Sequence, residues 1–148
     1  MFLGDTDLAS VVMRANLAPS VHNTQPARWR RDKDDILIAA DPKLFLAVGD
    51  PDGVDAGLSC GAAVEATVLA LGDLGFGAKV EDTWLHDDRH SWRGHRLAAR
   101  LQLCAGQADP LAQRIEQRFT WRNRFADTVP QLFGWSRDDA VMVMDQPN

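Results

Sequence analysis

A chain of 148 residues is long enough for one domain that buries most of its unfolded surface, and 45% apolar residues support such a core. A net charge of -5 argues against nucleic acid as a partner, since the phosphate backbone demands a concentrated basic face. With two cysteines, no uninterrupted apolar run of membrane-spanning length, and Asp5 and Asp7 but no Lys or Arg ahead of the first apolar residues, the composition predicts a cytoplasmic protein without disulfides, membrane span or secretory leader.

The first predicted element is an amphipathic helix. Leu8, Val11, Val12, Ala15 and Leu17 recur at helical spacing, Asp5 or Thr6 caps the start, and Pro19 forbids continuation. The loop that follows, Ala18 to Pro26, packs a hydroxyl, an imidazole and side-chain amides into nine residues: Ser20, His22, Asn23, Thr24 and Gln25. Asn and Gln each offer a donor and an acceptor, which suits the alternating polar edge of a flavin or a nucleobase. From the residues alone an Asn/Ser-rich turn between helix and strand fits equally well. His22 either hydrogen-bonds a ligand or holds the turn.

Ala27 to Arg31 and Ile36 to Ala40 read as two strands of a hairpin joined by Asp32-Lys33-Asp34-Asp35, with Arg28, Arg30, Arg31 and Lys33 forming a solvated basic run. From Val54 to Leu74 a helix is apolar around most of its circumference, so it is buried on several sides and needs a partner; Gly72, Gly75 and Gly77 punctuate its end. The small residues Ser59, Cys60 and Gly61 at its start suit close packing, or the approach of a ligand to the helix N-terminus. Ala78 to Trp84 and Leu97 to Ala105 read as strands, and Asp109 caps a short helix to Gln117 that opens on Pro110. His86, Asp87, Asp88, His90 and His95 crowd one stretch, but without a helix to align them they read as a polar loop, not a metal site. Cys60 and Cys104 read as buried, reduced thiols. Thr128 to Asn148 reads as a loose tail with one possible strand at Ala140 to Met144.

Three segments carry a resemblance. Ala18-Pro19-Ser20-Val21-His22-Asn23-Thr24-Gln25-Pro26 with Arg28 and Trp29 resembles the S-x-x-N-x-Q-P-W loop of the nitroreductase superfamily, and its longer form resembles the Acg-like branch, with Ala27 where that family has Trp. Asp50-Pro51-Asp52-Gly53 leading into Leu58-Ser59-Cys60-Gly61-Ala62-Ala63 resembles a second family segment. Arg118 to Phe125 resembles R-R-[ST]-D-R-R-x-F, with Phe119 and Trp121 in place of Arg and Asp. The similarity runs over roughly residues 5 to 127, with the three segments in the family's order.

The resemblance implies an α+β nitroreductase-like half-domain, an antiparallel or mixed sheet with packed helices, over residues 5-127, followed by a truncated or divergent tail over 128-148. It implies an FMN-dependent oxidoreductase that passes electrons from NAD(P)H to a nitroaromatic or quinone-like acceptor, with flavin-sequestering without turnover and an inactive fragment as alternatives. The cofactor contacts it assigns are Ser20, His22, Asn23 and Gln25 at the ring or ribityl chain, Arg118 and Thr120 at the phosphate, and Arg122 at the pyrimidine edge, where a cation stabilises the reduced flavin. No residue is assigned as catalytic. The apolar helix lies near the interface of nitroreductase halves or subunits, which implies a homo-oligomer, at least a dimer.

Overall fold

A computed structural model describes residues 3–84, 92–120 and 123. The tail over 128–148, its possible strand, Arg122, and the His86, Asp87, Asp88 and His90 cluster lie outside the described residues. Helix α1 spans Asp5–Ala15, followed by strands β1 (Ala27–Asp32) and β2 (Asp35–Ala40), helix α2 (Val54–Gly72), strands β3 (Phe76–Asp82) and β4 (Arg96–Ala105), and a 3-10 turn at Pro110–Arg114. The fold is α+β, as the sequence predicts.

The four strands pair antiparallel in the order β1-β2-β4-β3. The chain leaves β2, crosses one face of the sheet as α2, and returns at the far edge as β3. The ladder of the first hairpin continues to Asp32 opposite Asp35, so the turn is the two residues Lys33-Asp34 and not four; Lys33 takes the left-handed backbone (φ 57) that so tight a reversal requires. Ile36 to Ala40 are buried without a break because β2 is interior to the sheet and covered on both faces. One face carries the main core, with Ile36, Ile38 and Leu101 against Val11, Cys60, Ala63 and Leu71. The other carries a smaller cluster, Leu37, Ala39 and Leu97 beneath Trp92.

Helix α1 starts one residue earlier than its sequence suggests. Its N-cap is Gly4 without a side-chain cap, so Asp5 and Asp7 act in the first turn, where negative charge complements the helix dipole. Leu17 lies beyond the helix end and is exposed. On α2 the buried stripe is made of small residues, Ala56, Ser59, Cys60, Ala63, Ala66, Thr67 and Ala70, which bring the helix axis close to the sheet. Burial is one-sided, however: Val54 and Leu58 are 61% and 70% exposed. The helix has the length and apolarity to cross a membrane, with a mean hydropathy of 1.5, and 44% of that window is buried against the rest of the fold. Trp29 Nε1 donates to Thr67 Oγ1 at 2.9 Å, and that hydroxyl donates to the Ala63 carbonyl at 2.6 Å, which locks β1 to α2.

Arg14 closes the structure from the other side. Its guanidinium donates to Glu116 (2.6 Å), Asp73 (2.7 Å) and the Ala112 carbonyl (2.9 Å), tying α1 to the end of α2 and to the 3-10 turn. The hydrogen bond from Arg14 holds the Glu116 carboxyl below its ordinary range, and the same bond raises Arg14. A carboxyl whose folded value lies below its unfolded one stabilises the fold above the unfolded value, about 4.3, and loses that contribution as pH falls through the folded value. The melting temperature of Glu116→Gln is therefore expected to fall less steeply than that of the wild type below about pH 4.3. Parallel profiles would refute the assignment.

Candidate functional site

The polar loop leaves α1 and is wedged against α2. Its backbone is held in an uncommon shape: His22, Asn23 and Gln25 all take positive φ, at 45, 58 and 48 degrees, without a glycine among them. Such conformations each cost of order 1–3 kcal/mol and persist only where surrounding contacts enforce them. Here the contacts are visible. Asn23 N donates to the Ser20 carbonyl (3.0 Å), Thr24 N to the Val21 carbonyl (2.9 Å) and Gln25 N to Ser20 Oγ (2.9 Å). From outside the loop, Val21 N donates to Ser59 Oγ at 3.1 Å, and the Ser59 hydroxyl donates to the Asp55 carbonyl at 2.7 Å.

These bonds divide the predicted contact residues into two kinds. Ser20 and Gln25 belong partly to the frame, since Ser20 Oγ accepts from Gln25 N and Gln25 Nε2 donates to the Asn16 carbonyl at 2.8 Å. The Ser20 hydroxyl keeps a donor and Gln25 keeps Oε1 as an acceptor. His22 and Asn23 are exposed at the loop surface. Thr24 Oγ1 is buried and has no hydrogen-bond partner. A set of amide, hydroxyl and imidazole groups with donors and acceptors still to satisfy fits the polar edge of a flavin.

Arg118 comes to the same corner from 101 residues away. Its Nε and Nη2 donate to the Leu17 carbonyl at 3.2 and 3.0 Å, next to the Asn16 carbonyl that Gln25 holds, and its Nη1 donates to Thr120 Oγ1 at 3.2 Å. The guanidinium is exposed and its acceptors are neutral, so a phosphate dianion is a better partner than either. Between the loop and α2 lies an open hollow of about 320 Å³ lined by Pro19, Ser20, Val21, Asp55, Leu58, Ser59 and Ala62. On the other side of Leu58 a larger apolar groove, about 640 Å³, runs along Val54, Gly57, Val64, Val80 and Trp84.

Two supports are not apparent from the sequence. Asp50, only 5% exposed, accepts from Asp55 N (3.1 Å) and Ala56 N (2.9 Å), satisfying the start of α2, so the Asp50-Pro51-Asp52-Gly53 segment positions that helix. Ser59 ties helix to loop through its hydroxyl and also lines the hollow between them; a small hydroxyl residue one turn after Asp55 is the one local signal of the tie. His95 stacks on Trp92, with ring centroids 5.2 Å apart, and shares no site with the loop histidine His22 in the described residues.

The cysteines differ from expectation at one position. Cys60 is buried, and burial pushes its thiol up to about 12 against the opposing pull of the Arg28 charge. Cys104 is exposed, because it shares the outward face of β4 with Gln102. A chromogenic disulfide reagent is therefore expected to titrate one fast thiol in the folded protein, lost in Cys104→Ser, with Cys60 reacting only on unfolding. Two fast thiols would contradict this placement.

No family model matches the chain. It is 45% identical over 71 residues to a Mycobacterium tuberculosis protein named "Putative NAD(P)H nitroreductase", and 35% identical over 74 residues to "Putative NAD(P)H nitroreductase acg" of the same organism. These alignments cover 48% and 50% of this chain but only 21% and 22% of the relatives, so the chain spans well under half of the length of the curated relatives it matches. Among solved structures, a Parabacteroides distasonis protein described as an NADH dehydrogenase/NAD(P)H nitroreductase aligns with a TM-score of 0.58 at 14% identity, over 91% of this chain and 89% of its own. A Desulfovibrio desulfuricans protein described as a "putative nitroreductase in complex with fmn" aligns with a TM-score of 0.54 at 18% identity, over 85% and 88%. The fold is that of the nitroreductases, and sequence similarity to the curated relatives holds over about half of the chain.

Proposed function

We propose that the chain is an FMN-binding protein of nitroreductase type, an oxidoreductase that moves electrons from NAD(P)H to a nitroaromatic or quinone-like acceptor. One observation carries the reading: the polar loop and Arg118, far apart in sequence, meet at the two consecutive carbonyls that end α1. FMN, when bound, supplies the redox chemistry, taking hydride from the nicotinamide and releasing electrons to the acceptor. The chain's own residues do the rest. Asn23 and His22 present exposed polar groups to the ring or ribityl chain, Ser20 and Gln25 add one donor and one acceptor, and Arg118 with Thr120 exchanges its neutral partners for the phosphate. Arg122 is the proposed cation for the pyrimidine edge.

A second copy of the chain completes the site in this reading. The hollow beside the loop is open, and Leu58, which lines it, and Val54, in the adjoining apolar groove, are both exposed on α2. Contiguous apolar surface of this kind marks an association face. Light scattering at micromolar concentration is expected to find a dimer, and a well-behaved monomer would sink the proposal of a self-associating α2.

The test of function is a titration with FMN followed by flavin absorption, then NADPH oxidation with a nitroaromatic acceptor. Binding with turnover supports the oxidoreductase. Binding without turnover supports a flavin-sequestering role. Absence of any flavin binding overturns both. The domain is proposed to run from residue 5 to 127, with residues 128–148 outside it.

A further inference from the structure

We infer that Arg28 is the positioning residue of the polar loop, the group that keeps it in its ligand-ready form; the inference rests on the flavin reading above. Arg28 sits at the start of β1, two residues beyond the loop's closing Pro26. Its Nη1 donates to the Gln25 carbonyl at 2.9 Å and to the Ala27 carbonyl at 2.8 Å, and its Nη2 faces Asp41 Oδ2 at 3.4 Å. Asp41 is itself fixed, because its other oxygen accepts from Lys43 N at 3.1 Å and caps the 3-10 turn Pro42–Leu44. The Asp41 amide also donates to the Pro26 carbonyl at 2.9 Å. A rigid carboxylate at the end of β2, the strand partner of β1, thus orients a planar fork, and the fork grips the carbonyl of Gln25, one of the three loop residues in the left-handed region.

The consequence is energetic. Left-handed backbone at three non-glycine residues is unfavourable in a free loop, so the loop keeps its shape only while something outside holds both ends. Ser59 holds the N-terminal end through Val21, and Arg28 holds the C-terminal end through Gln25. A loop already in place binds its ligand without the cost of ordering it. Lysine at position 28 would keep the charge but lose the planar fork that reaches two carbonyls and a carboxylate together. The neighbouring Arg30 is different: its guanidinium lies 5.0 Å from the centroid of Trp92, on the second cluster and away from the loop.

The experiment compares the wild-type chain with Arg28→Lys and Arg28→Gln, using Arg30→Lys as the control. Two readouts are taken: amide hydrogen exchange in the flavin-free protein, and FMN titration. The amides of Asn23, Thr24 and Gln25 are all donated within the loop, so their exchange reports whether it is formed. In Arg28→Lys these three are expected to exchange about tenfold faster or more, with Ile38 and Leu101 in the sheet unchanged, and FMN affinity is expected to fall by about tenfold. Arg30→Lys is expected to change neither. Unchanged loop exchange in both Arg28 variants overturns the inference, as does faster exchange with unaltered FMN affinity. If the wild type binds no FMN, the flavin reading fails while the exchange data still decide whether Arg28 holds the loop. If Arg28→Gln loosens the whole sheet, the exchange pattern of Arg28→Lys decides between the two outcomes.

Discussion

Arg118→Ala and Asn23→Ala are each expected to weaken FMN binding by about 10- to 100-fold, the loss that corresponds to one or two charge-assisted or buried hydrogen bonds. In the proposed arrangement the two substitutions act at opposite ends of the ligand. Asn23 is exposed on a loop whose frame bonds are made by the backbone and by other side chains, so its carboxamide is available to the ring. Asn23→Ala also places alanine at a left-handed position that asparagine tolerates better, so a small fall in melting temperature is expected beside the loss of affinity. Arg118 also bonds the Leu17 carbonyl, but both groups are at the surface, where water replaces the lost contact. The wild-type chain is itself expected to bind weakly while it is monomeric, because the hollow of about 320 Å³ is open and would enclose a bound flavin on one side only. Affinity that rises with protein concentration would follow from completion by a second copy. Tight binding that survives both substitutions would show that the flavin lies elsewhere.

How much of this is legible in the sequence depends on the range of the interaction. The hairpin of β1 and β2, the crossover helix and the pairing strands β3 and β4 follow from periodicity and turn residues, which are local. Their ends move by a residue or two where tertiary contacts decide, as with Gly4 in place of Asp5 at the first cap and the shift of β3 to Phe76–Asp82. The loop is legible in composition but not in conformation. Nothing local says that His22, Asn23 and Gln25 adopt positive φ, since the partners that impose it, Ser59, Asn16 and Arg28, lie outside the loop at three separate places in the chain. Arg28 reads as one charge in a solvated basic run, and its side chain is 39% exposed, yet its guanidinium is bonded to two backbone carbonyls. Cys104 is the opposite case: the alternation along β4 already sets it beside Gln102 on the outward face, and that local pattern outweighs the general tendency of free thiols to be buried.

The largest effect on stability is expected from Gly106→Ala, a position with no role in the site. Gly106 follows β4, and its amide donates to the Gly75 carbonyl at 3.1 Å, closing the far edge of the sheet. A methyl built there meets Gly77 N and the Phe76 carbonyl carbon, and falls within 2.6 Å of Gly77 Cα. All three are backbone atoms of β3, and β3 is held along its length by β4, from Phe76 opposite Ala105 to Asp82 opposite Ala99. The obstacle cannot rotate away, so relief requires the strand end to peel off, exposing Phe76 from the core. Overpacking of this kind costs about 1–3 kcal/mol where neighbours yield, and here the expected loss is about 3 kcal/mol or more. Gly57→Ala provides the comparison. A methyl there comes within 2.7 Å of the Trp84 indole, a less severe overlap than at Gly106 and one made with a side chain that is able to shift. Urea unfolding is expected to rank Gly106→Ala well below Gly57→Ala, and Gly57→Ala below wild type. Equal destabilisation in the two variants would show that β3 bends away from Gly106 as easily as an indole turns, and that the β3–β4 edge is not the rigid boundary its ladder describes.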